Sequence, residues 1–167
     1  MRTHPLAEKD VPAVAGLMAA LKPDWWDLPG AERQLRNGHC WFLETGAKPV
    51  GFLISHAYPI YKMVEIECLG FNDHGTLAMG NELSPLVKCC EQWAEAQGAV
   101  NVHFILGSRG MSCHHQSISK PWRALQDLSA IERPEYLWFI TMGYVPSGIL
   151  PNIYGKGHHG ILLLKQL

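Results

Sequence analysis

The sequence predicts an α/β domain built on a mixed, mostly antiparallel sheet flanked by helices. Three observations carry that expectation. Residues 39–69 hold three consecutive strand-like segments joined by turns. An amphipathic helical stretch follows at 83–97. A short apolar run, Val100–Leu106, comes directly after it. Strands joined by short turns pair antiparallel, whereas a strand–helix–strand passage of this length favours a parallel pair made by a right-handed crossover. The sheet is therefore expected to be mixed, with the fourth and fifth strands as its parallel pair.

Arg2–Leu6 reads as a short strand and Ala7–Asp10 as a turn. Val11, Val14, Leu17, Met18 and Leu21 then recur at helical spacing, with Pro12 in the first turn, where its missing N–H matters least. Two prolines and a glycine in Lys22–Gly30 break the pattern, and the Trp25–Trp26 pair there reads as a packed wall or lid. Ala31–Asn37 reads as a short second helix stopped by Gly38. From His39 the period becomes strand-like: His39–Glu44, a turn over Thr45–Pro49, Val50–Tyr58 and Met63–Leu69. Along the last of these, Glu65 and Glu67 fall on one strand face, an unusual content for a strand that only builds core. A loop over Phe71–Gly80 follows. Leu83, Leu86, Val87, Cys90 and Trp93 then mark one face of a helix, with Pro85 expected in its first turn and Gly98 just past its end. After Val100–Leu106, Gly107–Ser119 reads as loop, and Trp122–Leu128 and Pro134–Met142 as helical segments, the second ended by Gly143. Tyr144–Tyr154 and His159–Leu167 close the chain as strands around the turn Gly155-Lys156-Gly157.

Composition narrows the function classes. At 167 residues the chain is read as one domain, 1–167, long enough for a real core. A net charge of −1 gives no electrostatic case for nucleic acid or an anionic membrane, and neither is expected as a partner. No run of apolar residues is long enough to span a bilayer, and MRTHPLAEKD lacks the apolar centre of a secretion signal. Five cysteines, an odd number lying mostly in predicted strands and a helix, suit reduced thiols, so a cytoplasmic location is the expectation.

Several stretches, taken in order, resemble the GCN5-related N-acetyltransferase (GNAT) family. LAEKDVPAVAGLMAAL is similar to its first strand end and helix, KPVGFLISH to its hairpin, and EIECLGF to its fourth strand. CCEQWAEAQGAVNVHF is similar to its helix-to-fifth-strand passage, and FITMGYVPSG to the entry into its sixth strand. The resemblance covers nearly the whole chain, each motif being weak alone and their shared order carrying it. It implies a fold in which the fourth and fifth strands splay apart to admit acetyl-CoA as co-substrate. It implies that Leu69, Gly70 and Phe71 face the pantetheine and that Gly75, Thr76, Gly80 and Asn81 face the pyrophosphate, where loop and helix N-terminal amides suit a diphosphate. Glu65 matches a position where some members carry a carboxylate base, and Glu67 lies beside it. The tyrosine that often protonates the departing thiolate aligns with Phe139, which leaves Tyr144, with Tyr136 also close in sequence, as the candidate acid. The pyrophosphate loop departs from the family's Q/R-x-x-G-x-G/A pattern, since Ala78, Asn81 and Leu83 occupy its marked positions.

The function implied is transfer of an acetyl group from acetyl-CoA to a primary amine of a small molecule or peptide, with a homodimer expected only at family level. The alternative is a GNAT-like domain that binds CoA or another ligand without turnover, favoured by the altered loop and by Phe139. The substrate half of the cleft would come from Lys22–Gly38 and Gly107–Arg133, where Trp25, Trp26, Trp122 and Arg123 hint at a partly aromatic pocket. Arg109 suits an anionic group, although a surface role is the commoner fate, and His103 reads as a hydrogen-bonded core residue. Cys113-His114-His115 and His158-His159 would make a metal or thiol centre only if they converged, and no Cys/His pair stands at zinc-finger spacing. No metal is expected.

Overall fold

The structure, a computed structural model, describes residues 1–72 and 79–167, with the backbone alone for 79–81. The chain forms two compact units, Met1–Ala99 and Val100–Leu167.

The first unit carries strands β1 (Arg2–Pro5), β2 (His39–Thr45), β3 (Lys48–Tyr58) and β4 (Met63–Phe71), and helices α1 (Val11–Leu21), α2 (Leu28–Asn37) and α3 (Met79–Ala96). The pairs β1–β2, β2–β3 and β3–β4 are all antiparallel, as the turn-linked segments predict. Both sheet faces are covered, which explains the unbroken buried run Cys40–Leu43 in β2. On one face Cys40, Phe42, Phe52, Ile54 and Cys68 pack with Val11, Val14, Ala15 and Met18 of α1 and Ala31 and Leu35 of α2. On the other lies α3, whose Leu83, Leu86, Val87, Cys90 and Ala94 are fully buried. Burying a side chain of Leu or Val size contributes about 1.5–3 kcal/mol, so this helix face is a major stabilising element.

Among the boundaries that differ from the sequence reading, three lie next to the strand that carries Glu65 and Glu67 or on the helices that cover it. Helix α2 starts at Leu28, not Ala31, because the Asp27 side chain accepts the Gly30 amide at 2.8 Å and caps it, with Pro29 in the first turn. Helix α3 starts at Met79, so Gly80 falls inside the helix and Pro85 is the seventh helical residue instead of lying in the first turn. Pro85 is exposed, and the helix continues past the one backbone bond it removes because its other face is buried. Gly80 and Pro85, both poor helix formers, concealed the extension. Strand β4 runs on to Phe71, where Asn72 N–H still bonds the Val50 carbonyl at 2.7 Å.

The second unit holds β5 (Asn101–Gly107), α4 (Pro121–Gln126), α5 (Pro134–Thr141), β6 (Val145–Leu150) and β7 (Gly160–Gln166). Strand β7 pairs antiparallel with both β5 and β6, so the last strand lies between the two earlier ones. Helix α5 ends where expected: Gly143 takes φ of 89° and Tyr144 N–H reaches back to the Phe139 carbonyl at 3.0 Å. Phe104 of β5, Phe139 and Tyr144 pack ring against ring, with centroids 4.8 and 5.1 Å apart. Among the described residues no helix is long and apolar enough to cross a membrane. All five cysteines are free thiols.

Candidate active site

Strand β4 is not a plain alternating strand. Ile54 pairs with Cys68 and Ser55 with Ile66, which leaves Glu67 as the extra residue of a β-bulge. Cys68 packs with α1 and α2. Ile66 instead sits across from Ser55, whose hydroxyl side meets Cys90 of α3. The bulge therefore lets core residues two apart feed opposite layers while Glu65 and Glu67 remain on a common face. That common face is fixed by their partners, His56 and Tyr58, which stand two apart on β3.

Glu67 is held from two elements. Its Oε2 receives the Gln34 side-chain amide of α2, a very short contact, and lies 2.6 Å from His56 Nε2. Glu65 stands directly across from His56 and accepts the Tyr58 hydroxyl at 3.0 Å. That hydrogen bond, reinforced by the Glu65 charge, holds the Tyr58 phenol above its usual pKa. The result is a polar group on one sheet face, with two carboxylates, an imidazole, a phenol and an amide. Such a group can attract an ammonium, accept its proton and hold it in one place. Gln34, His56 and Tyr58 were not singled out from the sequence. The period-2 position of His56 and Tyr58 opposite the two glutamates is the signal that finds those two, whereas Gln34 on α2 carries none.

The residues implied for a cofactor divide by position. Leu69, Gly70 and Phe71 form the end of β4, two residues beyond the bulge. A side chain at Gly70 would meet the Phe52 ring at 2.5 Å, so glycine there is required by packing on the core side. Gly80 and Asn81 stand in the first turn of α3, whose leading backbone N–H groups have no acceptor within the helix itself. Gly75 and Thr76 lie outside the described residues.

Tyr144 is placed differently from its expected role. It is fully buried, edge-on to Phe139 and under Lys165 Nζ, and Phe139 itself is 1% exposed. A phenol that hands a proton to a departing thiolate has to reach it, and this one is packed as core. Tyr136 is buried as well, whereas Tyr58, Tyr61 and Tyr154 reach solvent. The thiols are no better placed as nucleophiles. Burial pushes Cys40, beside Glu67, and Cys90 up to about 12 and raises Cys68, Cys89 and Cys113.

The tryptophans also separate. Trp25 is 64% exposed beneath Lys22 Nζ, whereas Trp26 packs against the α1–α2 core layer. In the second unit Trp122 is exposed with the Arg123 guanidinium over its ring. Arg109 is exposed and His103 is buried. The histidine pairs do converge. His114, His115 and His158 each offer a ring nitrogen within 4.8 Å of the others, while His159 turns into the core. The His114 pKa is lowered, first by burial and then by the neighbouring histidines and Arg109.

No protein-family model matches the sequence, and no curated protein sequence matches it. Solved structures do. The crystal structure of the aminoglycoside 6'-N-acetyltransferase from Enterococcus faecium superposes with a TM-score of 0.86 at 14% identity, covering 99% of this chain and 97% of that one. A GNAT family acetyltransferase from Elizabethkingia anophelis with acetyl-CoA bound matches at TM-score 0.69 and 12% identity over 99% and 97% of the two chains. The ribosomal-protein-alanine N-acetyltransferase from Brucella melitensis matches at 0.70 and 12% over the full length of both. The order of strands and helices read from the sequence, the mostly antiparallel pairing and these superpositions together identify the fold of the chain as that of the GNAT acetyltransferases.

Proposed function

We propose that the chain is an acetyl-CoA-dependent N-acetyltransferase working as one domain over residues 1–167, and that it acetylates a primary amine of a small molecule or peptide. The observation that carries the reading is the pair Glu65 and Glu67, fixed by Tyr58, His56 and Gln34 beside the end of β4. It occurs in a fold whose solved examples include acetyltransferases, one of them holding acetyl-CoA. Those structures match this chain over 97% or more of their own length, which supports treating the two units as one functional domain.

In this reading Leu69–Phe71 lie along the pantetheine, and the amides at Gly80 and Asn81 take the pyrophosphate, with Gly75 and Thr76 in the segment before them. The incoming amine arrives as an ammonium, drawn by the two carboxylates. Glu67, whose Oε2 already receives two donors, serves as a fixed negative charge. Glu65 takes the proton, directly or through one water, and Tyr58 keeps that carboxylate oriented. The freed nitrogen attacks the thioester carbonyl carbon and a C–N bond forms. The C–S bond then breaks, the nitrogen releases its second proton to solvent to leave the neutral amide, and the CoA thiolate takes a proton from solvent. Alignment of the two substrates supplies much of the acceleration, and general-base help adds about 10²–10⁴-fold.

Calorimetric titration of the full chain with acetyl-CoA, followed by turnover on a panel of amines, tests the reading. Saturable binding is expected, with Glu65→Gln lowering kcat by about a hundredfold or more while leaving acetyl-CoA affinity within a few-fold. Undetectable binding at millimolar acetyl-CoA would sink the acetyltransferase reading. Binding with no turnover on any amine would support instead the non-catalytic ligand-binding domain, which the burial of Phe139 and Tyr144 favours.

A further inference from the structure

We propose that His114, His115 and His158 form a site for a divalent transition metal, with zinc as the best-suited ion. The three residues come from two separate loops of the second unit and present one ring nitrogen each within 4.8 Å of one another. Their rings are close-packed: 3.9 Å separates the centroids of His114 and His115, and 4.9 and 5.1 Å separate them from His158. Bonds of 2.0–2.1 Å to one tetrahedral ion bring such nitrogens to about 3.3 Å apart, a closure small enough for side-chain rotation alone.

The loops are built to hold that arrangement. Ser108 N–H bonds the His159 carbonyl at 2.9 Å, and His159 N–H returns to Ser108 Oγ at 2.9 Å. His115 N–H bonds the Gly157 carbonyl at 2.9 Å. The buried His159 ring accepts Asn152 N–H on Nδ1 and so donates from Nε2 to the Gln116 carbonyl at 3.0 Å. These bonds clamp 108–116 against 152–159. His115 sits at φ of 61°, a left-handed conformation that a bulky side chain adopts at a cost, and the clamp sustains it. His114 Nδ1 lies 3.1 Å from the hydroxyl of Ser108, a residue 2% exposed, which leaves Nε2 as the ligand atom. A ligand imidazole anchored through its other nitrogen is the usual outer-shell arrangement at metal sites.

Three imidazoles with no carboxylate among them, and Arg109 nearby, disfavour the oxygen-seeking ions calcium and magnesium and suit zinc, nickel or copper. Three protein ligands leave a fourth position for water or another small ligand.

The inference is independent of the acetyltransfer reading. Its test uses the full chain without a polyhistidine tag, stripped of metal and titrated with zinc chloride by calorimetry and with cobalt(II) by visible absorption. One ion per chain is expected, at micromolar affinity or tighter, with intense cobalt bands of imidazole-bound, four-coordinate type. His115→Asn and His158→Asn should each weaken zinc binding at least about tenfold and bleach those bands. Ser108→Ala should weaken binding about tenfold while keeping the stoichiometry. His4→Gln, on the other unit, should change nothing. His115 is exposed and asparagine tolerates its backbone conformation, so that variant is expected to fold, as far-UV circular dichroism would verify. No saturable binding below about 1 mM zinc, or binding that survives both His115→Asn and His158→Asn, would overturn the site.

Discussion

His39 lies flat on Trp93 of α3, with 4.1 Å between ring centroids and 4° between planes, and Trp41 stands edge-on to both. His39 remains exposed on its other side, but the stack covers one ring face, and this partial desolvation lowers its pKa below the usual value near 6.5. A folded-state pKa below the unfolded one means the unfolded chain binds the proton more readily. The contribution to stability is therefore complete above about pH 6.5 and is lost as the pH falls through the lowered value. An NMR titration of the His39 ring should show a midpoint below 6.5 that rises toward it in Trp93→Ala. An unchanged midpoint in that variant would mean that the stack is not the cause. At this scale the sequence was informative about chemistry and silent about partners. Period-2 spacing put Glu65 and Glu67 on one face, and the structure agrees. It could not show that Gln34, more than thirty residues earlier, reaches Glu67, because that contact depends on where α2 docks. Nor could it show that Tyr144 is core, since a tyrosine after a helix-ending glycine looks the same whether it turns in or out.

Elements were legible where periodicity and stop signals coincide. Helix α1, strands β2 to β5 and the end of α5 at Gly143 fall close to where apolar spacing and glycine put them. Helix α2 begins three residues before the sequence pattern places it, because its cap, Asp27, stands inside a stretch whose prolines look like a breaker. The bulge at Glu67 was invisible for a stronger reason. A one-residue insertion leaves the hydrophobic alternation of β4 intact and changes only which layer each residue feeds. The β2–β3 hairpin carries backbone strain at one position. Its two-residue turn, Gly46-Ala47, takes φ of 56° and 60°, the pattern of a type I′ turn that favours glycine at both places. Alanine in the left-handed region costs about 1–2 kcal/mol, of which glycine's greater unfolded-state freedom returns part. Ala47→Gly should therefore stabilise the chain by about 0.5–1 kcal/mol, read as a rise of about 1–4 °C in the unfolding midpoint. A fall in the midpoint would show that some contact of the Ala47 methyl outweighs the backbone strain.

For the molecule as a whole, the succession of strands and helices was readable although no single motif was strong, because each element had its own local signal and only their order had to be compared. The same circumstance explains why solved structures superpose on the chain at 11–16% identity while no sequence comparison finds a match. A fold tolerates exchange of nearly every apolar residue for another of similar size, so the pattern survives after the identities are gone. What does not survive in pattern form is the pyrophosphate-loop motif of the GNAT family, whose marked positions hold Ala78, Asn81 and Leu83 here. A ligand that binds only the folded chain stabilises it by RT ln(1 + [L]/Kd), about 2.7 kcal/mol at a hundredfold excess over Kd, or roughly 5–10 °C for a chain of this length. Acetyl-CoA and CoA should both raise the unfolding midpoint by such an amount at saturation, and 3′-dephospho-CoA somewhat less. Pantetheine alone, which lacks the pyrophosphate, should give a much smaller rise. The shift with acetyl-CoA should persist in His158→Asn, which disrupts only the proposed metal site, and in Glu65→Gln, which leaves the strand end and helix amides in place. Equal shifts from pantetheine and acetyl-CoA would mean that the amides at Gly80 and Asn81 hold no diphosphate, and the nucleotide would then have to be sought elsewhere on the chain.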